Sequence, residues 1–178
     1  MLNENLQQAL NDFADDVVKF AQINLGDRNR KRKSKLTGKI RRGAIDSSGA
    51  LRKSFDSDVK INENSAEMTI EALSYADDVD TGAKRKASGN SLLNWVKNKP
   101  IRFRDENGRL TKSTQARKEN FAEFAKWKVE TIGSDETRYL RDAIEDATKK
   151  HEDDLIGAMF KDIENATEFI LRNLETKE

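Results

Sequence analysis

The sequence predicts an α+β fold: a small antiparallel β-sheet covered by an N-terminal helix, with a long C-terminal helix. Three observations carry this expectation. Residues 55–61 and 66–72 each alternate apolar and polar side chains on either side of a turn-forming stretch. Leu2, Leu6, Leu10, Phe13, Val17 and Phe20 recur at intervals of three and four, which lines one side of a helix. From Thr137 to Leu174 an apolar stripe continues with no proline to interrupt it.

The N-terminal stripe ends at Asn24, and Gly26 is placed to stop that helix. In the hairpin, Phe55, Val59 and Ile61 fall on one side, and Asp56, Asp58 and Lys60 on the other. Ala66, Met68, Ile70 and Ala72 oppose Glu67, Thr69 and Glu71 in the same way, and Asn62-Glu63-Asn64-Ser65 makes the turn. Two strands alone are marginal, so the N-terminal helix is expected to cover their apolar face. Tyr75 to Thr81 reads as a short helix ended by Gly82. A helix over Ser91–Asn98 is bounded by the chain's only proline, Pro100, and a small hairpin over 101–111 turns at Asn107-Gly108.

Gln115 to Ile132 is helical by periodicity, with Phe121, Phe124, Ala125, Lys128, Val129 and Ile132 along one side. Gly133 closes it, and Ser134 or Asp135 is expected to cap the helix that follows. The last stripe joins Leu140, Ile144, Ala147, His151, Leu155, Met159, Ile163, Ala166, Ile170 and Leu174. Such a helix is about 55 Å long, more than one small core covers. It is expected to pack on its own domain up to about Ala147 and to reach a neighbour beyond.

Charged residues make up 37% of the 178 and hydrophobic ones 35%, so apolar surface is scarce and burial is expected to be completed at subunit contacts or in long, solvated helices. With no cysteine there is no disulfide framework and no thiolate metal site. No stretch has the length of a membrane span and no apolar signal core is present, so a soluble intracellular product, or part of a particle assembled inside a cell, is expected.

The net charge of +1 hides a strong separation of sign. Arg28, Arg30, Lys31, Arg32, Lys33, Lys35, Lys39, Arg41 and Arg42 stand together with no acid among them, whereas residues 152–178 hold eight acids against three bases. The segment 27–47 has no apolar period and reads as a basic arm, mobile unless anions or acidic neighbours order it. Three readings stay open for it. It contacts nucleic-acid phosphates, it contacts acidic surfaces of adjacent subunits, or it is simply solvated. No aromatic residue falls in the run, so it offers no stacking platform for single strands.

No catalytic constellation is visible. His151 is the single histidine and its i+4 neighbour is Leu155, so a packed histidine is expected rather than a metal ligand. Asp77, Asp78 and Asp80 with Glu71 lack the alternate-position spacing and central glycine of a calcium loop, and a solvated helix face explains them. Residues 82–89 do not form a phosphate loop. A non-enzymatic protein without metal or cofactor is expected.

Three blocks occur in order: Ser48-Gly49-Ala50-Leu51-Arg52-Lys53-Ser54-Phe55, then Tyr75-Ala76-Asp77-Asp78-Val79-Asp80-Thr81-Gly82, then Asn120 through Gly133 ending in Tyr139-Leu140-Arg141-Asp142-Ala143-Ile144. In these blocks residues 1–150 resemble the neck and tail-completion proteins of long-tailed bacteriophages, the lambda Z-like minor tail protein family. Val79-Asp80-Thr81 stands where relatives often carry an aromatic–glutamate pair, and a charged insert at 83–114 separates the second and third blocks. The resemblance implies a structural virion subunit at the neck or head-proximal tail. It implies a homo-oligomeric ring, a hexamer, around the DNA channel, joining the head-side connector to the tail terminator or tail tube.

On that reading residues 1–150 form the tail-completion-like domain and 151–178 an extended helix. Contacts are expected at Leu51, Arg52, Tyr75 and Val79, at Leu155, Met159, Ile163 and Ile170, and along the basic arm, which suits a positive arm meeting a negative helix on the next subunit. The competing expectation is a nucleic-acid-binding module using the arm. Its affinity would fall with salt at a slope of about −0.9 per phosphate contact.

Overall fold

A computed structural model describes residues 4–46, 48–62, 65–86, 89–98 and 101–175. Leu2, the turn pair Glu63-Asn64, Pro100 and the side chain of Leu174 lie outside the described residues. The expected α+β architecture is present, and the chain forms two compact units. The first comprises Met1–Arg28, Ala44–Ser74 and Tyr139–Glu178, and the second Asn29–Gly43 and Tyr75–Arg138.

In the first unit, α1 (Glu4–Gly26) buries Ala14, Val17, Ala21 and Leu25. A short helix α2 (Ala50–Lys53) follows, then β3 (Asp56–Ile61) and β4 (Ala66–Glu71), an antiparallel pair. Val59 lies opposite Met68 and Ser57 opposite Ile70, which puts the expected apolar side chains on one face. That face packs on α1, so the predicted cover is found. Phe55 closes one end edge-to-face on the fully buried Tyr139, with ring centroids 6.0 Å apart.

α6 (Tyr139–Glu175) runs antiparallel to α1 along most of its length. Three polar contacts fix this order: Asn24 Nδ2 to the Tyr139 carbonyl at 3.0 Å, His151 Nε2 to Asp16 Oδ2 at 2.7 Å, and Asn5 Nδ2 to Asp162 Oδ1 at 2.8 Å. The predicted stripe is one residue out of phase at both ends. Tyr139, Ala143, Ala147, His151, Ala158 and Asp162 are buried, whereas Ile144, Met159 and Ile163 are exposed. Small residues face α1 because Ala143, Ala147 and Ala158 let the two helix backbones approach closely, and α1 answers with Ala14 and Ala21. The helix therefore does not leave its own core at Ala147. It stays on α1 as far as Asp162, because α1 has about the same length as residues 139–162 of α6, roughly 34 Å.

The second unit contains β1 (Lys31–Lys33), β2 (Ile40–Arg42), α3 (Ala76–Thr81), α4 (Gly89–Asn98) and α5 (Gln115–Thr131). α3 ends at Gly82 as expected, with φ 70°. Gly82 and Gly133 (φ 93°) then meet: a Cβ on Gly133 would lie 2.5 Å from the Gly82 carbonyl oxygen. The backbones approach so closely that both positions need glycine. α4 packs on α5, with Trp95 stacked on Phe121 and Val96 buried. The small 101–111 hairpin is present as an Arg104–Leu110 bridge, with Gly108 at φ 77° in its turn. Ser134 and Asp135 do not cap α6, which begins four residues after Asp135. Ser134 Oγ donates to the Asp78 carbonyl and Asp135 takes up two lysine contacts instead.

Candidate functional site

The basic arm is not a structureless loop. Lys31 pairs with Arg42, Arg32 with Arg41 and Lys33 with Ile40, in a β1–β2 hairpin that carries no apolar face. Polar contacts hold it instead. Arg30 donates from Nε and Nη2 to the Thr137 carbonyl at 3.2 and 3.1 Å. The Lys35 amide donates to Asp135 Oδ1 at 3.1 Å, and Lys35 Nζ donates to the Gly82 carbonyl. Ser34 is fully buried at the turn, where its carbonyl accepts from Gly38 N–H. One acidic neighbour, Asp135, and two backbone carbonyls thus order the arm.

The two faces of this hairpin differ in charge. Arg32 and Arg41 lie opposite one another on the side whose field reaches Asp135. Burial pushes the Arg32 guanidinium below its ordinary value, against the attraction of Asp135. Burial alone would raise the Asp135 carboxyl. The hydrogen bonds from Lys128 and from the Lys35 amide, with the charges of Lys128 and Arg41, outweigh it and hold the group below the usual carboxylate range. Alternation places Lys31, Lys33, Ile40 and Arg42 on the other side, all exposed. Arg28 and Lys39 are exposed as well.

The second surface is the far half of α6. Ile156, Met159, Phe160, Ile163, Phe169, Ile170 and Leu171 are each 49–68% exposed. Ile156, Ile163 and Ile170 repeat at seven-residue spacing, with Met159 and Phe160 between the first two. This makes an apolar strip turned away from α1. Seven large apolar side chains exposed within 16 residues are far from the scattered singles of an ordinary surface.

The predicted contact residues divide. Met159, Ile163 and Ile170 are exposed as the interface expectation needs, and Leu155 is half-buried. Leu51 is 3% exposed and belongs to the core of its own unit, so it offers no contact surface. Arg52 is exposed, and with Lys19, Gln22, Ile23, Gly26, Asp27 and Lys53 it lines a shallow groove of about 700 Å³. The block around these two residues is shaped by Asp46, whose carboxylate accepts from the amides of Ser48, Gly49 and Arg52 at 2.9–3.3 Å. Tyr75 and Val79 are half-buried, with the Arg85 guanidinium 5.4 Å from the Tyr75 ring centre and Thr137 Oγ1 donating to the Val79 carbonyl.

His151 is buried between helices. Its Nε2 faces Asp16, and Phe13 meets its ring edge-on at 6.1 Å. Lys150 Nζ reaches the same carboxylate oxygen. Hydrogen bonds from Lys150 and His151 hold the Asp16 carboxyl below its ordinary value against the opposing effect of burial. At the far end of α1, Asp162 accepts from the amides of Asn5 and Leu6, satisfying first-turn N–H groups that α1 cannot satisfy itself. Burial raises the Asp162 carboxyl, but the Asn5 side chain and these two amides outweigh it and the net shift is downward. Both clusters act as pins between α1 and α6. Among the described residues, no group of three or more His, Asp or Glu is placed to hold a metal ion. Among them, too, no helix is long and apolar enough to cross a membrane.

Sequence reasoning missed Ile156, Phe160, Phe169 and Leu171 because it followed one row through Leu155, Met159, Ile163 and Ile170, whereas the exposed apolar side chains spread around α6. The alanine spacing at 143, 147, 158 and 166 was the available signal. Asp135 and Asp162 carry no local signature, since each acts on a segment distant in sequence, whereas Asp46 accepts from amides two and three residues on in a turn that its Asp-Ser-Ser-Gly run could have signalled. Comparison with protein-family models, curated proteins and solved structures returns no match to this chain.

Proposed function

We propose that the protein is a non-enzymatic structural subunit that acts by assembling with copies of itself, in the setting the three sequence blocks suggest. That setting is a ring at the neck or head-proximal tail of a phage particle, between the head-side connector and the tail terminator or tube. The observation that carries this reading is the strip of large apolar side chains on α6, from Ile156 to Leu171. A monomer leaves that strip in water, whereas an assembly covers it. The opposite charges of the basic hairpin and the acidic far half of α6 support the same reading, because ring closure requires two different surfaces to meet.

Sedimentation velocity on the full chain, over a wide concentration range, tests assembly, and electron microscopy of purified particles tests the setting. The reading expects a closed oligomer and the protein's presence at the neck. A monomer at every concentration defeats the assembly reading, and absence from particles defeats the virion setting. A nucleic-acid-binding module is the competing class, favoured only by the exposed cations of the hairpin. It leaves the α6 strip unexplained.

A further inference from the structure

We infer that the occupant of the α6 strip is the basic hairpin of a second copy of this chain, in a head-to-tail contact. This rests on the assembly reading above and names the two surfaces that meet. The hairpin is more than a charge run. On its outward face Lys31, Lys33 and Arg42 surround Ile40, which is 68% exposed, and Leu36 at the turn is 40% exposed. A surface built for phosphates alone gains nothing from leaving those two apolar side chains in water. A surface built for an apolar and acidic partner does.

The far half of α6 is such a partner. Glu152 and Asp153 lie one turn before Ile156, and Glu164 lies one turn after Phe160, so exposed carboxylates flank the strip. Between residues 152 and 170 the only base is Lys161. The strip from Ile156 to Ile170 is about 21 Å of helix, long enough to take both the strand residues and the turn of the hairpin. A parallel pairing of α6 with α6 of another copy would bring the two sets of carboxylates together, which charge repulsion disfavours, whereas the hairpin brings Lys31, Lys33 and Arg42 to them. A hairpin–helix contact joins two different patches. Each copy keeps one of each free, so contacts propagate until a ring closes. The net charge of +1 fits two surfaces that cancel on assembly.

The test is sedimentation velocity on three full-length variants, with thermal melts to show that each stays folded. The first is Lys31→Glu with Lys33→Glu, the second Glu152→Lys with Asp153→Lys, and the third Ile163→Ser. Each reversal alone should weaken self-association at least tenfold, and raised salt should weaken the wild-type contact. A mixture of the two reversed proteins should assemble again, because each reversed hairpin then faces a reversed helix. If Ile163→Ser dissociates the protein but the hairpin reversal does not, the contact pair is wrong and the assembly reading stands. Helix reversal that strengthens association would show an α6–α6 contact instead. Hairpin reversal that abolishes binding to a 30-base-pair duplex while leaving assembly intact would assign the hairpin to nucleic acid and overturn the inference. A wild type that stays monomeric throughout would remove the assembly reading itself.

Discussion

The two hairpins of this chain are held by opposite means. β3–β4 turns Val59, Ile61, Met68 and Ile70 toward one side and sets them against α1, so burial of apolar area supports it. β1–β2 has five cations and one exposed isoleucine in its six strand residues. It stays in place through hydrogen bonds to the Gly82 and Thr137 carbonyls and to Asp135. The first is a property of its own alternation. The second is a property of the segments it docks on, and so its fold depends on residues about 50 and 100 positions away.

The sharpest way to break the second hairpin without touching it is to displace its dock. Gly133→Ala puts a Cβ 2.5 Å from the Gly82 carbonyl oxygen on a backbone at φ 93°. The strain and overlap should cost about 3 kcal/mol or more. Hydrogen exchange should show amides of residues 31–42 losing protection along with residues 76–82. Unchanged protection of β1–β2 in this variant would mean that the hairpin is self-supporting.

A matched pair of charge insertions compares the hairpins directly. Met68→Asp places a carboxylate on the half-buried face opposite Val59 and should cost about 2 kcal/mol. The same exchange at Ile40, which is 68% exposed, should change stability by no more than ~0.5 kcal/mol. Denaturant midpoints of the two variants measure this. Equal losses would contradict the assignment of burial to one hairpin only.

The same contrast explains what was legible in the sequence. β3–β4, α1 and the helix ended by Gly82 announce themselves by period and by turn chemistry, because the forces that make them act between near neighbours. β1–β2 was hidden because like-charged residues at successive positions repel, and the groups that offset this lie at Gly82, Asp135 and Thr137. In α6 the existence and length of the helix were legible, but its orientation was not. Hydrophobicity favoured the large residues Leu140, Ile144, Met159 and Ile163, whereas close approach to α1 selected Ala143, Ala147 and Ala158. The row left outside became the candidate site. Met159, Ile163 and Ile170 of that row are legible in the sequence as contact residues.

Asp135 gives a smaller effect with a definite pH dependence. Its folded carboxyl lies below its unfolded value, so ionised Asp135 contributes stability above the unfolded pKa of about 4. That contribution is lost as pH falls through the lower folded value. Asp16 and Asp162 shift in the same direction and lose their contribution over the same acid range. Asp135→Asn should cost about 1–2 kcal/mol near neutral pH, because an amide accepts more weakly from Lys128 and from the Lys35 amide. Exchange protection of residues 34–39 should fall with pH below about 4 in the wild type and should lack that step in the variant. An identical acid step in both proteins would remove Asp135 as the anchor.

The smallest effect separates cations that build the hairpin from those that leave it free. Arg30 donates twice to the Thr137 carbonyl, and Arg32 is partly buried toward Asp135, so replacing either with serine should cost about 1 kcal/mol. Lys31 and Lys33 are exposed on the opposite face, and removing them takes away positive charge from a strand that pairs with Arg42 and Ile40. Lys31→Ser with Lys33→Ser should therefore leave the melting temperature within the change expected for ~0.5 kcal/mol, and relief of repulsion with Arg42 could make that change stabilising. Self-association should nevertheless drop, since the lost charges lie on the face proposed to meet α6. A stability loss equal to that of Arg30→Ser would place Lys31 and Lys33 among the structural cations, and the outward face would then keep only Arg42 for a partner.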